Sequence, residues 1–121
     1  MLRQSIALTA LLLAAAPAAA EVSYSKDVRP FLAKYCVECH NREKAHGGIA
    51  LDRYADLRKG NDPVVIPGQP DRSDLVRVLS TSSRKLMPPR MAARRPTAAE
   101  IAMIRAWVVA GARDDTDAAA P

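Results

Sequence analysis

Apolar positions along this chain follow three different rhythms. From Ile6 to Ala16 they form a nearly continuous run, preceded by Arg3 and followed by Pro17 and Ala18-Ala19-Ala20. Val28, Phe31, Leu32 and Tyr35 then recur at three- and four-residue intervals, as do Ile101, Ile104, Trp107 and Val108 near the other end. That spacing places each set on one face of a helix. Between the two helical stripes, residues 41–70 carry Gly47, Gly48, Gly60, Gly68, Pro63, Pro67 and Pro70 and no alternating run of useful length. The stretch reads as loop, with one helical turn around Tyr54 to Leu57.

Polar residues mark the helix ends. Ser25 can cap the first helix, with Asp27 in the first turn where the helix dipole favours an acid. Pro30 falls early in that helix, and a start at Lys26 would require a slight distortion. Ser73 before Asp74, Leu75, Val76, Val78 and Leu79 predicts a short capped helix ending near Ser80. Thr97 with Glu100 three residues later forms a capping box for the last helix, and Gly111 is a natural terminator. Asp114, Asp115, Asp117 and Ala118 to Pro121 have nothing to bury, so residues 114–121 read as a disordered tail.

The opening run has the anatomy of a secretory signal with an A-x-A cleavage site over residues 1–20. The alternative is an uncleaved membrane anchor, against which the run falls short of the ~20 residues that span a bilayer. No cysteine lies near the cleavage point, which argues against a lipoprotein anchor. The expected product is one exported, periplasmic domain over residues 21–113. At 121 residues in all, the chain has no room for a multidomain enzyme.

Composition changes the picture in three ways. Aromatics make up 4% of the chain, so the domain's own core is thin and a bound apolar cofactor would add volume and buried area. A net charge of +5 is mildly basic and does not make a polybasic tail. Cys36 and Cys39 are the whole cysteine inventory, too few for a multi-disulfide scaffold.

Those cysteines stand in Cys36-Val37-Glu38-Cys39-His40, immediately after the first helical stripe. A C-x-x-C-H arrangement is the signature of covalent c-type haem attachment. Two thiols three positions apart on a helical turn point the same way and reach the two vinyl groups of one porphyrin, and the adjacent imidazole of His40 falls beneath the iron. Three other chemistries use similar residues. A thioredoxin-like redox pair needs a βαβ context that this strand-poor chain lacks. A zinc site from Cys36, Cys39, His40 and His46 would need the adjacent Cys39 and His40 as ligands, a poor fit to structural zinc spacing. A plain Cys36–Cys39 disulfide suits an oxidising compartment and could form transiently before attachment.

For the sixth iron position the candidates are Met87, Met91, Met103 and His46. Met87 is preferred because Leu86-Met87-Pro88-Pro89 would hold the thioether on a stiff, extended segment; the alternative is an ordinary core methionine. Met91 lies in an arginine-rich loop, Met103 falls within the last helix as packing, and His46 precedes Gly47 and Gly48 as a loop histidine or a second imidazole ligand.

The chain from Tyr24 to Ala112 resembles the cytochrome c superfamily, in particular planctomycete-type cytochrome c. The matching pieces are Asp27 to Leu32, Tyr35 to His40, Gly47 to Asp52, Ile66 to Pro70, Ser73 to Leu75, Met87 to Pro89 and Trp107 to Ala112. The resemblance implies an all-α, small single-haem cytochrome c fold with crossed N- and C-terminal helices and a loop-rich middle. It implies one covalent haem c on Cys36 and Cys39, with iron between His40 and Met87. It also implies that the Phe31 stripe packs on the Trp107 stripe and that Gly48 and Gly68 let backbone approach the ring. Where the family often has glycine after the motif histidine, this chain has Asn41.

The function expected from that site is transfer of single electrons between redox partner proteins, without a small-molecule substrate. No acid, base and nucleophile set accompanies the haem motif, which argues against an enzyme. Export argues against nucleic acid. Between Asp74 and Glu100 lie Arg77, Arg84, Lys85, Arg90, Arg94 and Arg95 with no acid among them, a basic rim suited to an acidic docking face. The competing expectations are a haem sensor with a displaceable sixth ligand and an electron-relay subunit of a larger oxidoreductase.

Overall fold

The computed structural model describes residues 7–12 and 21–117. Most of the expected signal and residues 118–121 of the expected tail therefore lie outside the described residues. Among those described there is no strand, and no helix is long and apolar enough to cross a membrane. The architecture is all-α, with short helices and a loop-rich middle.

A widened, π-helical turn over Tyr24–Val28 leads directly into α1, Arg29–Tyr35. Ser23 is the cap here. Its hydroxyl accepts from the Lys26 N–H at 3.1 Å, and its own N–H donates to Asp27 Oδ2 at 2.8 Å. Ser25, expected in that role, instead donates its N–H to Asp115 Oδ1 at 2.8 Å. The widened turn precedes Pro30, whose ring would crowd the Lys26 carbonyl in a regular α-helix. Tyr24, Val28, Phe31 and Leu32 are buried.

The middle of the chain contains a 3₁₀ turn at His46–Gly48, α2 at Tyr54–Leu57, a second 3₁₀ turn at Pro70–Arg72, and α3 at Asp74–Arg77. Ser73 stands at the N-cap of α3, yet its side chain makes no cap hydrogen bond. The fully buried hydroxyl accepts from the Ile66 N–H at 2.9 Å and donates to the Gln69 carbonyl at 2.9 Å, so it closes the preceding loop onto α3.

The last helix, α4 (Ala98–Val109), has both halves of the capping box between Thr97 and Glu100. It ends where Gly111 takes φ 113°, with the Ala112 N–H donating to Trp107 O at 2.8 Å and the Gly111 N–H to Val108 O at 3.0 Å. This is a Schellman closure, which needs a residue tolerant of positive φ. Trp107 is the centre of the core. Tyr24 stacks on it with ring centroids 5.8 Å apart, and Tyr54 meets it edge-on at 6.4 Å. The aromatic partner of Phe31 is Tyr35, at 5.0 Å. The two end helices thus meet chiefly where Tyr24 covers Trp107, rather than through a Phe31 to Trp107 contact.

Beyond α4 the chain folds back. The Tyr54 hydroxyl donates to the Ala112 carbonyl at 2.8 Å, and Trp107 Nε1 donates to Arg113 O at 3.1 Å. Asp115, placed by its sequence in a free tail, accepts from the Ser23 hydroxyl and the Ser25 N–H. Asp115 thus ties the segment after α4 to the start of the fold.

The Ser23 hydroxyl and then the Ser25 N–H hold the Asp115 carboxyl below its ordinary value of 3.8. A depressed folded value means that the contribution is complete above that ordinary value and is lost as pH falls through the folded one. In urea unfolding at a series of pH values, Asp115→Asn is expected to be less stable than the parent near neutrality. The gap should close in acid below about pH 3.8.

Candidate haem site

The site begins where α1 stops. Cys36 leaves the helix at φ −126°, ψ −42°, with its N–H still bonded to Leu32 O at 2.9 Å. His40 then donates its N–H to the Cys36 carbonyl at 2.9 Å, so the five motif residues form one closed turn on the end of a packed helix. Cys36 is buried in the hydrophobic core cluster, whereas Cys39 is exposed. Burial pushes the Cys36 thiol up to about 11, so it stays protonated near neutrality.

Asn41 fastens this turn. Its Nδ2 donates to the Val37 carbonyl at 2.7 Å, and its Oδ1 accepts from the Glu43 and Lys44 N–H groups, each at 2.9 Å. A glycine there would supply none of these bonds. His40 Nδ1 lies 3.2 Å from the Ile49 carbonyl. A carbonyl can only accept, so Nδ1 carries the proton and Nε2 is left with its lone pair. The Leu51 N–H donates to the His40 carbonyl at 2.7 Å, and the His46 N–H to the Cys39 carbonyl at 3.3 Å, which ties the following loop to the motif.

Cys36, Cys39, His40, His46 and Met87 line one open cavity of about 1230 Å³. That exceeds the ~300–1,000 Å³ of ordinary small-ligand pockets. Its apolar wall includes Ile49, Leu51, Val64, Leu75 and Leu79. Met87 is 36% exposed there, and its N–H donates to Val78 O at 2.7 Å just beyond α3. Met87 and Pro88 sit in a bend with a cis peptide between them, in place of the extended run expected from the prolines.

The other candidates separate by position. Met91 is 98% exposed and does not line the cavity. Met103 packs against the core from α4. His46 lies on the same side as His40, with ring centroids 6.4 Å apart. Among the described residues, no group of three or more His, Cys, Asp or Glu side chains is arranged to hold a metal ion. Of the glycines, it is Gly47, at φ 67°, that reaches the cavity; Gly68 donates its N–H to Val108 O at 2.7 Å at the end of α4.

Cationic side chains ring the cavity. Lys34, Arg77, Arg84, Lys85 and Arg94 line it, against the acids Glu38 and Asp74, and Asp74 pairs with Arg77 at 3.2 Å. Lys34, contributed by α1, joins a rim that the sequence assigns to residues 77–95 alone. Arg90 and Arg95 turn elsewhere, onto backbone carbonyls. Tyr35 connects α1 to α4, donating its hydroxyl to Glu100 Oε1 at 2.8 Å. The Thr97 N–H and then that hydroxyl hold the Glu100 carboxyl below its usual range.

Two thiols, an imidazole with one free nitrogen and a thioether around a large apolar cavity suit a flat, covalently held iron porphyrin. The residues present fit haem c. Residues 36–91, from the first cysteine of the motif to Met91, match the model of the planctomycete cytochrome C family. Over that segment the chain is similar to a cytochrome C domain of that family, which together with the C-x-x-C-H motif agrees with covalent haem c and an electron-carrier role. The two end helices that build the core flank the matched segment. No curated protein and no solved structure matches the chain.

Asn41→Ala should leave the turn without the side-chain bonds to Val37, Glu43 and Lys44. The haem-bearing variant is expected to lose about 1–3 kcal/mol in urea unfolding while keeping the parent's haem mass increment. An unchanged unfolding midpoint would show that the turn holds itself.

Proposed function

We propose that this chain is an exported carrier of single electrons whose haem iron is ligated by His40 and Met87. The observation that carries the reading is the convergence of Cys36, Cys39, His40 and Met87 on one apolar cavity, with His40 Nδ1 engaged by Ile49 and Nε2 free. When bound, the haem supplies a one-electron iron couple. The protein's part is to hold and insulate it. The Ile49 carbonyl keeps the Nδ1 proton in place, fixing the tautomer and the ring orientation of His40. The Met87 thioether is a soft donor that favours the reduced metal, and Leu51, Val64, Leu75 and Leu79 keep water from it. Were His40 and Met87 both to hold the iron, neither side chain would leave room for a substrate there.

Export is supported by the signal-like first twenty residues. The cationic ring of Lys34, Arg77, Arg84, Lys85 and Arg94 supports docking of an acidic redox partner at the cavity mouth.

Intact mass of the exported protein after denaturation tests covalent attachment; loss of the haem mass on unfolding would overturn the reading. Met87→Ala is expected to retain that mass, to change the visible spectrum and to bind carbon monoxide rapidly once reduced, where the parent resists. Rapid, complete binding by the parent would favour a sensor instead.

Electron transfer with an acidic partner should slow several-fold as salt shortens the Debye length below ~10 Å. A rate that is flat with ionic strength would remove the docking proposal and leave ligation untouched.

A further inference from the structure

We propose that Arg95 is a positioning residue for the Met87 thioether, an inference that rests on Met87 as the distal ligand. Pro88 and Pro89 follow Met87 and have no N–H, so this segment can be anchored beyond Met87 only through its carbonyls. Arg95 Nη1 donates to both of them, to Pro88 O at 2.6 Å and Pro89 O at 2.9 Å. On the other side, the Met87 N–H is fixed to Val78 O at 2.7 Å. The methionine is therefore gripped at its own backbone and again one and two residues later.

The grip has a rigid footing. Arg95 precedes Thr97 by two residues, and Thr97 is locked into the capping box of α4 with Glu100. Glu100 in turn accepts from Tyr35, the neighbour of Cys36. A continuous path of hydrogen bonds and short chain segments thus joins the haem-attaching end of α1 to the bend that carries Met87. A guanidinium stays charged across the accessible pH range and projects several donors from one plane, whereas a lysine ammonium is a single point with three rotating protons. A methionine on an exposed bend has three side-chain torsions as well as the backbone to order. Fixing the backbone in advance raises the fraction of time for which the sulfur is on the metal, and an incoming ligand must compete with that fraction.

The test uses the haem-bearing protein and imidazole as the competing ligand of the ferric form. Arg95→Ala is expected to bind imidazole roughly tenfold or more tightly than the parent. The absorption from sulfur-to-iron charge transfer should weaken in parallel. Arg95→Lys, which keeps the charge, should resemble Arg95→Ala more than the parent, and it serves alone should Arg95→Ala not fold. Adding Arg95→Ala to Met87→Ala should change imidazole affinity no further, since Arg95 acts only through Met87.

Parent-like affinity in Arg95→Ala, or in Arg95→Lys, alongside tighter binding in Met87→Ala, would overturn the role of Arg95 and leave Met87 as the ligand. Parent-like affinity and spectrum in Met87→Ala would overturn the ligand assignment itself, and the positioning role with it. A further increase in the double variant would show general loosening of the fold and also refute the proposal.

Discussion

The contact on which the rest of this structure depends is the burial of Trp107 between Tyr24 and Tyr54. In a chain with five aromatic residues, three are committed to that one cluster. It is the place where the beginning of the chain, its middle loop and its last helix are held together. Aromatic groups contribute the most buried area per residue. Fixing Tyr24 fixes the axis of α1, and the axis of α1 determines where Cys36 leaves the core.

Cys36 belongs to two environments at once. It is counted among the buried core residues, and it also lines the open cavity. The apolar wall of the cavity continues the same core through Leu51, Leu75 and Leu79. A haem bonded at this boundary extends the protein's interior, consistent with a domain whose own apolar side chains fill only one side. The loop from Gly47 to Ile66 has little regular structure. It is held by single well-placed bonds, such as His40 to Ile49 and Ser73 to Ile66, instead of by a ladder.

Much of this was legible in the residues. The stripes Val28 to Tyr35 and Ile101 to Val108, the capping box at Thr97, and the turn at Tyr54 to Leu57 are set by spacing and local hydrogen bonding, which act within a few positions. Where the reading missed, the deciding partner lay far along the chain. Ser25 is a plausible cap by local chemistry, yet Ser23 takes that role, and the Ser25 N–H is bound by Asp115, some ninety residues away. Ser73 precedes a helix as a cap should, yet its hydroxyl is taken by the loop behind it. Arg95 sits in a run of arginines and reads as surface charge; only folding brings it to the two prolyl carbonyls. Lys34 joins the cationic rim from α1 for the same reason. Met87 reaches the cavity where Met91 and Met103 do not, and it stands with Pro88 in a bend where an extended path is expected.

The bonds from Asp115 to Ser23 and Ser25 bring the two extremities of the ordered fold side by side. A unit whose entrance and exit coincide can be grafted into a surface loop of a host protein, or have its ends joined and reopened elsewhere, without disturbing its interior. In that respect this small redox domain is built as a cassette, and the same geometry would let several copies be threaded along one polypeptide.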